Sequence, residues 1–480
     1  MTHEQRRGFG KGKYMIYYDT VKRQLTQQEL DGNLEQLMLR AKKLGAQDMP
    51  ITLRKDLTRP LTPREMDTNF QSLDLAVKRA LYGDGPYPAA EYIFDGATVL
   101  PAGLTFSRPS KAWGLRNGEV VEYEIDEPVF EFGGLRLEPQ ATNSLSHSTL
   151  PTENTYVTSD GFTDVSNGTS FVIPEWGQKF TVDGEHAGFG TSTTVSPDTL
   201  VTAQILVRGL TENAEMSINS HGTTGQHRKI YEFSNGAIRE KTSTGDFTHS
   251  EIRSLGGGWE WVRLGWRTLD SDTDRRLGFT FYGGSTWEVA HIQREIGNGI
   301  PTSIIPTFGS PATRAADQFQ WTGSSFDRAF NPHQGAFIFK IGEKSGLPYI
   351  GNTPPYYGVA LWTESGSLSA APAAGAWFRG SDDGYLNGIG VKAPNESRHN
   401  TAIPHNIYPD DTVGLSWQGE TISLFVNGAL AGSFTHPDVV GALQAVERFH
   451  IPNAQHMYLE RMSMFSTRPT DQEMEALTHA

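Results

Sequence analysis

The chain contains no cysteine among its 480 residues. Disulfides, zinc–thiolate sites and cysteine nucleophiles are thereby excluded, and durability outside a cell must come from burial and assembly. No run approaches the ~18 apolar residues of a membrane span, and the first residues are polar and basic with no apolar core of signal-peptide length. The expectation is a protein made in a cytosol that leaves it by another route, such as lysis. Catalytic signatures are equally scarce. There is no G-x-S-x-G elbow, no H-E-x-x-H helix and no phosphate loop, since Gly8–Lys13 lacks the required spacing and preceding strand. The 14 histidines show no ligand spacing beside acids, so no metal is assigned. Apolar residues make up only 37% of the chain.

Against these absences stand 51 glycines and an aromatic share of 11%, which favour turn-rich β structure over helical bundles. Charge is asymmetric. Residues 1–80 hold 15 Lys and Arg against 10 Asp and Glu, so with a net charge of −14 the remainder carries −19. A basic head and an acidic body suit docking onto an acidic assembly at one end. Lys and Arg alternate with acids there and no nucleic-acid motif appears, so no nucleic-acid partner is expected.

Two segments repeat the pattern LT-x-x-E-[LM]-D-x-N-[LF]-x-x-L, at Leu25–Leu37 and Leu61–Leu73. Thr26 and Thr62 are placed to cap helices near 26–43 and 62–81, with Glu29 and Glu65 closing capping boxes. Leu30, Leu34 and Leu37, and likewise Met66, Phe70 and Leu73, recur at i, i+4, i+7 on one face. These stripes are too small to bury themselves in a lone helix pair and are expected to meet a partner. The pattern resembles the short helical motif near the N-termini of tailed-bacteriophage tail-fibre and other virion proteins. That resemblance implies attachment to other virion proteins through residues 1–88, and oligomers, with trimers common among fibres. It also implies location on the particle surface; head, tail and baseplate all remain open. Gly83–Pro88 reads as a linker.

Beyond it the period becomes two. Val121, Tyr123 and Ile125 alternate with Glu122, Glu124 and Asp126, which predicts a strand with one apolar and one acidic face. Trp259–Arg267 is a second strand, expected to form a hairpin with Leu277–Tyr282 through Asp270–Asp274. Thr412–Trp417, Thr421–Val426 and Leu430–Phe434 form a meander turning at Gln418–Glu420 and at Asn427-Gly428, a dipeptide that tolerates positive φ. Many short strands with Gly and Asn turns predict jelly rolls.

Gly134–Asn143 (GLRLEPQATN) and Pro301–Gly309 with Thr313–Asp317 (PTSIIPTFG, TRAAD) resemble a segment recurring in phage proteins that brackets a concanavalin A-like or carbohydrate-binding-module-like jelly roll. Ser423–Leu430 and Met464–Thr478 are similar to the hairpin, closing strand and short helix of laminin-G/concanavalin A-like domains, with Thr470 as N-cap and Glu473 completing its capping box. The resulting expectation is a mainly β protein: an arm and helical anchor over 1–88, one jelly roll over 89–325 and a second over 326–480.

Binding residues are sought among aromatics that face sugar C–H groups and polar side chains beside them. The loop 352–357 with Tyr356 and Tyr357, together with Trp377, Asp382, Asp383, Tyr385 and Asn387, is the candidate ligand site. Asp382-Asp383-Gly384 is also a candidate Ca²⁺ loop, because concanavalin-like lectins often hold calcium that way. Asp270, Asp272 and Asp274 lack the Gly and the twelfth-position acid of a calcium hand. Glu122, Glu124 and Asp126 are the nearest carboxylates to a glycosidase set, although the E-x-D-x-x-E pattern fails at Val129. The sequence therefore points to a non-enzymatic structural protein that binds host-surface glycans. The alternatives are a polysaccharide-degrading enzyme on the same fold, a capsid decoration protein without a receptor role, and a cellular adhesin.

Overall fold

The computed structural model describes residues 86–480 except for 117–118, 154–155, 159–161, 168–175, 192–194, 222–225, 269–275, 343–356, 363–374, 381–384, 393–398, 402–404, 407–409, 452–455 and 480. The helical anchor expected within 1–88, with Leu30, Leu34, Leu37, Met66, Phe70 and Leu73, lies outside the described residues.

The protein is mainly β, with four large antiparallel sheets among the described residues packed as two sandwiches. In the outer sandwich, one sheet runs in the order Ala429–Thr435, Thr421–Val426, Thr412–Gln418, Gln334–Ile341, Met457–Phe465, Gly134–Leu137, Val129–Glu131, and Ala90–Ile93 also pairs with Met457–Phe465. Its partner runs from Leu104–Ser107 through Gln318–Thr322, Arg448–Ile451, Tyr357–Trp362 and Gly375–Gly380 to Tyr385–Lys392 and His399–Thr401. Alternate residues of these strands meet in one core: Phe337, Phe339, Leu415 and Met462 from the first sheet, Phe319, Trp321 and Phe449 from the second.

In the inserted sandwich, one sheet orders Phe247–Gly256, Trp259–Arg267, Leu200–Gly209, Ser285–Ile296, Gln178–Val182 and Phe162–Asn167. The other orders Ala237–Thr244, Gln226–Ser234, Ala214–His221, Arg276–Tyr282, His186–Thr191 and Tyr156–Thr158. Ile205, Val262, Leu264 and Trp287 face Met216, Ile218, Tyr231, Phe279 and Phe281 across its core.

Strand pairing does not stop at residue 325, the division expected from chain order. Strands from 90–137 and 318–322 complete the sheets of the C-terminal strands. The second sandwich is inserted between Ala141–Asn143 and Ala312–Arg314, which pair antiparallel and so bring its entry and exit side by side.

Two local expectations are corrected. Trp259–Arg267 and Arg276–Tyr282 form no hairpin: the first pairs with Leu200–Gly209 and Phe247–Gly256, the second with Ala214–His221 and His186–Thr191. Both strands carry an apolar face, and two such faces are buried by opposing across a sandwich as readily as by lying in one sheet. The acidic strand also stops early. Glu119–Tyr123 buries Val120 and Tyr123, after which Asp126 at φ 60° turns the chain and leaves Ile125 exposed. The meander forms as expected, with Asn427 and Gly428 at φ 48° and 80°. The C-terminal helix Asp471–Thr478 begins on the Thr470–Glu473 capping box.

Candidate functional site

Strand alternation decides what the outer face of the inserted sandwich presents. In Ala214–His221 the inward residues are Met216 and Ile218, so Ser217 and Asn219 point outward. In Arg276–Tyr282, Phe279 and Phe281 turn inward and Thr280 and Tyr282 outward. In Gln226–Ser234, Tyr231 and Phe233 turn inward, leaving Arg228 and Ile230 outside. Register sets these rows in contact: Ser217 lies opposite Thr280, and Asn219 lies between Gly278 and Arg228.

The outward side chains form a connected polar layer. Asn219 Nδ2 donates to Thr280 Oγ1 at 3.0 Å and to Ser217 Oγ at 3.2 Å. Ser217 Oγ and the Tyr282 hydroxyl share a hydrogen bond of 3.3 Å. Arg228 Nη2 donates to the same hydroxyl, and the guanidinium carbon lies 5.8 Å from the Tyr282 ring centroid. Gly278 makes room for this layer, since a Cβ there would stand 2.9 Å from Asn219 Oδ1. Ser217 and Asn219 are buried beneath the partly exposed Arg228 and Tyr282. The result is a set of donors and acceptors whose positions are fixed before any ligand arrives, which lowers the ordering cost of binding.

A second cluster sits where the inserted sandwich leaves and re-enters the outer one. Arg136 binds Glu131 at 2.7 Å, Glu138 at 3.3 Å and the Trp113 carbonyl at 3.1 Å. Arg314 binds Asp317 at 3.0 Å and approaches Glu138 at 3.6 Å, and Arg108 approaches Asp317 at 3.6 Å. Tyr458 donates to Glu131 at 3.0 Å, and the Ser303 amide donates to Glu138 at 2.7 Å. All these charged groups are buried. Burial pushes the Glu138 carboxyl up, but Arg136, Arg314 and His456 outweigh it and hold it down at about 2. Burial, aided by the nearby Arg263 and Arg136, favours the neutral imidazole of His456 and takes it down to about 3 despite Glu138 at 3.5 Å. With its charges paired and out of solvent, this cluster fastens the insertion to the outer sandwich. The cluster brings the charged residues of GLRLEP (Arg136, Glu138) and of TRAAD (Arg314, Asp317) together.

The residues singled out from sequence fall elsewhere. Tyr357 begins the strand Tyr357–Trp362 with Arg379 as its Cα partner, Trp377 pairs with Ala360 and Gly390, and Tyr385 pairs with Asn406. Asn387 falls at the register shift between Tyr385–Lys392 and Gly375–Gly380. Tyr356, Asp382 and Asp383 lie outside the described residues, as do Asp270, Asp272 and Asp274. Lys111 lies between Glu122 and Glu124, at 3.0 and 3.1 Å, and Asp126 accepts from the Arg108 amide at 2.8 Å in its turn. Among the described residues no group of three or more His, Asp or Glu is arranged to hold a metal ion.

Ser217, Asn219, Arg228, Thr280 and Tyr282 escaped the sequence reading. A signal was present in M-S-I-N and F-T-F-Y, where small hydrogen-bonding residues alternate with apolar ones. An ordinary solvated face alternates with charges instead.

No protein-family model and no curated protein matches the chain. Among solved structures it is similar to the CBM40 of the Ruminococcus gnavus IT-sialidase (15% identity, 31% of this chain and 84% of that one, TM-score 0.23), which is also known bound to α2,3-sialyllactose. It is similar to a leech intramolecular trans-sialidase complexed with 2,7-anhydro-Neu5Ac (12% identity, 34% and 26% of the two chains, TM-score 0.25). A third similar structure is of botulinum neurotoxin type C, described as dependent for cell entry on two ganglioside molecules (10% identity, 34% and 39%, TM-score 0.25).

Proposed function

We propose that this chain is a structural virion protein of a tailed phage, held in the particle by its N-terminal region, whose sandwiches attach to glycans on the host surface without cleaving them. The observation that carries the binding reading is the polar layer of the inserted sandwich. The partly exposed Thr280 and Tyr282 hydroxyls and Arg228 guanidinium, held from below by the buried Ser217 and Asn219, are arrayed on rigid strands, the equipment by which sugar hydroxyls are recognised. The virion reading is supported by the paired LT-x-x-E motifs ahead of the β region and by the GLRLEP and TRAAD segments. Such a platform buries little area per site, so affinity is weak singly and multiplied by copies. A homo-oligomer, with a trimer as first expectation, supplies those copies.

The test is binding of purified full-length protein to host cells and extracted envelope polysaccharide, with Asn219→Ala/Thr280→Ala alongside. Wild type is expected to bind, more tightly as an oligomer than as a monomer, the double variant at least tenfold less, and no new reducing ends or unsaturated sugars should appear. Product release abolished by changing Glu124 would establish the enzyme instead. Electron microscopy of intact particles locates the protein; its absence from them would remove the virion role.

A further inference from the structure

We infer that Arg228, braced by Tyr282, is the subsite for the carboxylate of an acidic saccharide; this rests on the glycan-attachment reading and narrows its ligand class. A guanidinium stays charged at any ordinary pH and offers five N–H donors in a planar fork. Arg228 uses one, Nη2, on the Tyr282 hydroxyl, and its Nε is buried with no partner. Among the described residues no carboxylate reaches it.

The acids on the same sheet are occupied. Glu215 and Glu232 both pair with Lys241, and Glu240 pairs with Lys229 at 2.6 Å. Three buried cations of the protein are matched by acids: Arg136 by Glu131, Arg314 by Asp317, Arg263 by Glu251 at 3.0 Å. A charge taken partly out of water without a partner is costly, and a ligand anion would remove that cost. The Tyr282 hydroxyl is itself tied to Ser217, and Ser217 to Asn219, so the fork has one braced edge and one unused edge. A planar carboxylate takes two parallel N–H bonds from such an edge.

Recognition here must be short-ranged. The body beyond residue 80 carries a net charge of −19, so it repels polyanions at a distance. A single part-buried contact is screened little by salt, whereas body-wide repulsion is screened strongly. Affinity for a singly charged oligosaccharide should therefore change less than about threefold between low and moderate salt.

The experiment applies full-length protein to immobilised uronate- and sialate-terminated oligosaccharides, each beside its carboxyl-reduced counterpart, with phosphodiester-containing oligosaccharides as a further arm. Wild type is expected to bind at least one acidic glycan tenfold or more better than its reduced form. Arg228→Gln should lose that preference with an unchanged melting temperature, and Arg228→Lys, which keeps the charge but not the fork, should lose most of it. Equal binding of acidic and reduced glycans, unaffected by Arg228→Gln, would overturn the inference and leave glycan attachment standing. So would preference for the phosphodiesters, or steep loss of binding with salt. Binding to no glycan of any kind would remove the attachment reading and this inference with it.

Discussion

The guanidinium of Arg136 lies in the space left by the absent side chain of Gly114: a Cβ at that position would stand 2.8 Å from Nη1 and 3.1 Å from Nη2. The end of a long side chain usually yields to such an intrusion. Arg136 is not free to do so, because Glu131, Glu138 and the Trp113 carbonyl hold it from several sides in a buried site. Displacing it would leave Glu131 and Glu138 as charges without their main partner. Gly114→Ala is therefore expected to destabilise the protein by roughly 2–4 kcal/mol, the range for overpacking combined with a disturbed buried ion pair. Chemical denaturation of the fragment 89–480 measures it, and a change under about 0.5 kcal/mol, as for an ordinary surface substitution, would show that the cluster is pliable.

The nested topology makes a prediction about cutting the chain. A fragment 326–480 lacks Ala90–Ile93, Gly134–Leu137 and Gln318–Thr322, which pair with its own strands, and Leu104–Ser107, which pairs with Gln318–Thr322. It should be insoluble or unfolded, whereas 89–480 should be soluble and β-rich by circular dichroism. A cooperatively melting 326–480 fragment would contradict the pairing.

Acid should destabilise the protein through two sets of groups, buried histidines and Glu138, whose pH ranges overlap. Burial pushes His456 down to about 3, His291 to about 4 and His450 to about 4, all from an ordinary 6.5. Between pH 6.5 and those values the unfolded chain binds protons that the folded one refuses, so stability falls as pH falls. Each group adds a slope of up to about 1.4 kcal/mol per pH unit. Glu138 works at lower pH: held at about 2 against an ordinary 4.5, its contribution is complete above 4.5 and lost as pH drops toward 2. Melting temperatures of 89–480 from pH 7 to 3 should fall, and His291→Gln should flatten the curve between 6.5 and 4. A wild-type melting temperature constant over that range would refute the assignment of neutral buried histidines.

The N-terminal stripes give the fourth prediction. Changing Leu34 and Phe70 to Ser in the intact protein should release it from particles while its β-sheet circular dichroism and melting temperature persist. Particles retaining the variant at normal copy number would exclude these residues as the anchor.

Much of the secondary structure was legible because its causes are local. Asn427-Gly428 turns a hairpin since both residues tolerate positive φ, and Thr470 with Glu473 starts a helix by bonding amides within one turn. The site was less legible. Adjacent aromatics at Tyr356 and Tyr357 attracted attention because sugar stacking has an obvious residue type. The layer at Ser217, Asn219 and Thr280 uses common residues, and their significance lies in which strands stand side by side.

By itself, the sequence determined a cysteine-free, turn-rich β protein with a basic N-terminal segment, the strand periods, the tight turns and the final helix. These depend on backbone conformation and side-chain contacts a few residues apart. Only the tertiary structure decided that Trp259–Arg267 and Arg276–Tyr282 lie in different sheets, that Ala90–Ile93 pairs with Met462 and its neighbours, and that one sandwich is nested in the other. It also decided that Glu138 is a buried clasp and that Arg228, partly exposed, meets no carboxylate among the described residues. Alternation says that a strand has two faces; which face is covered, and by what, depends on residues hundreds of positions away.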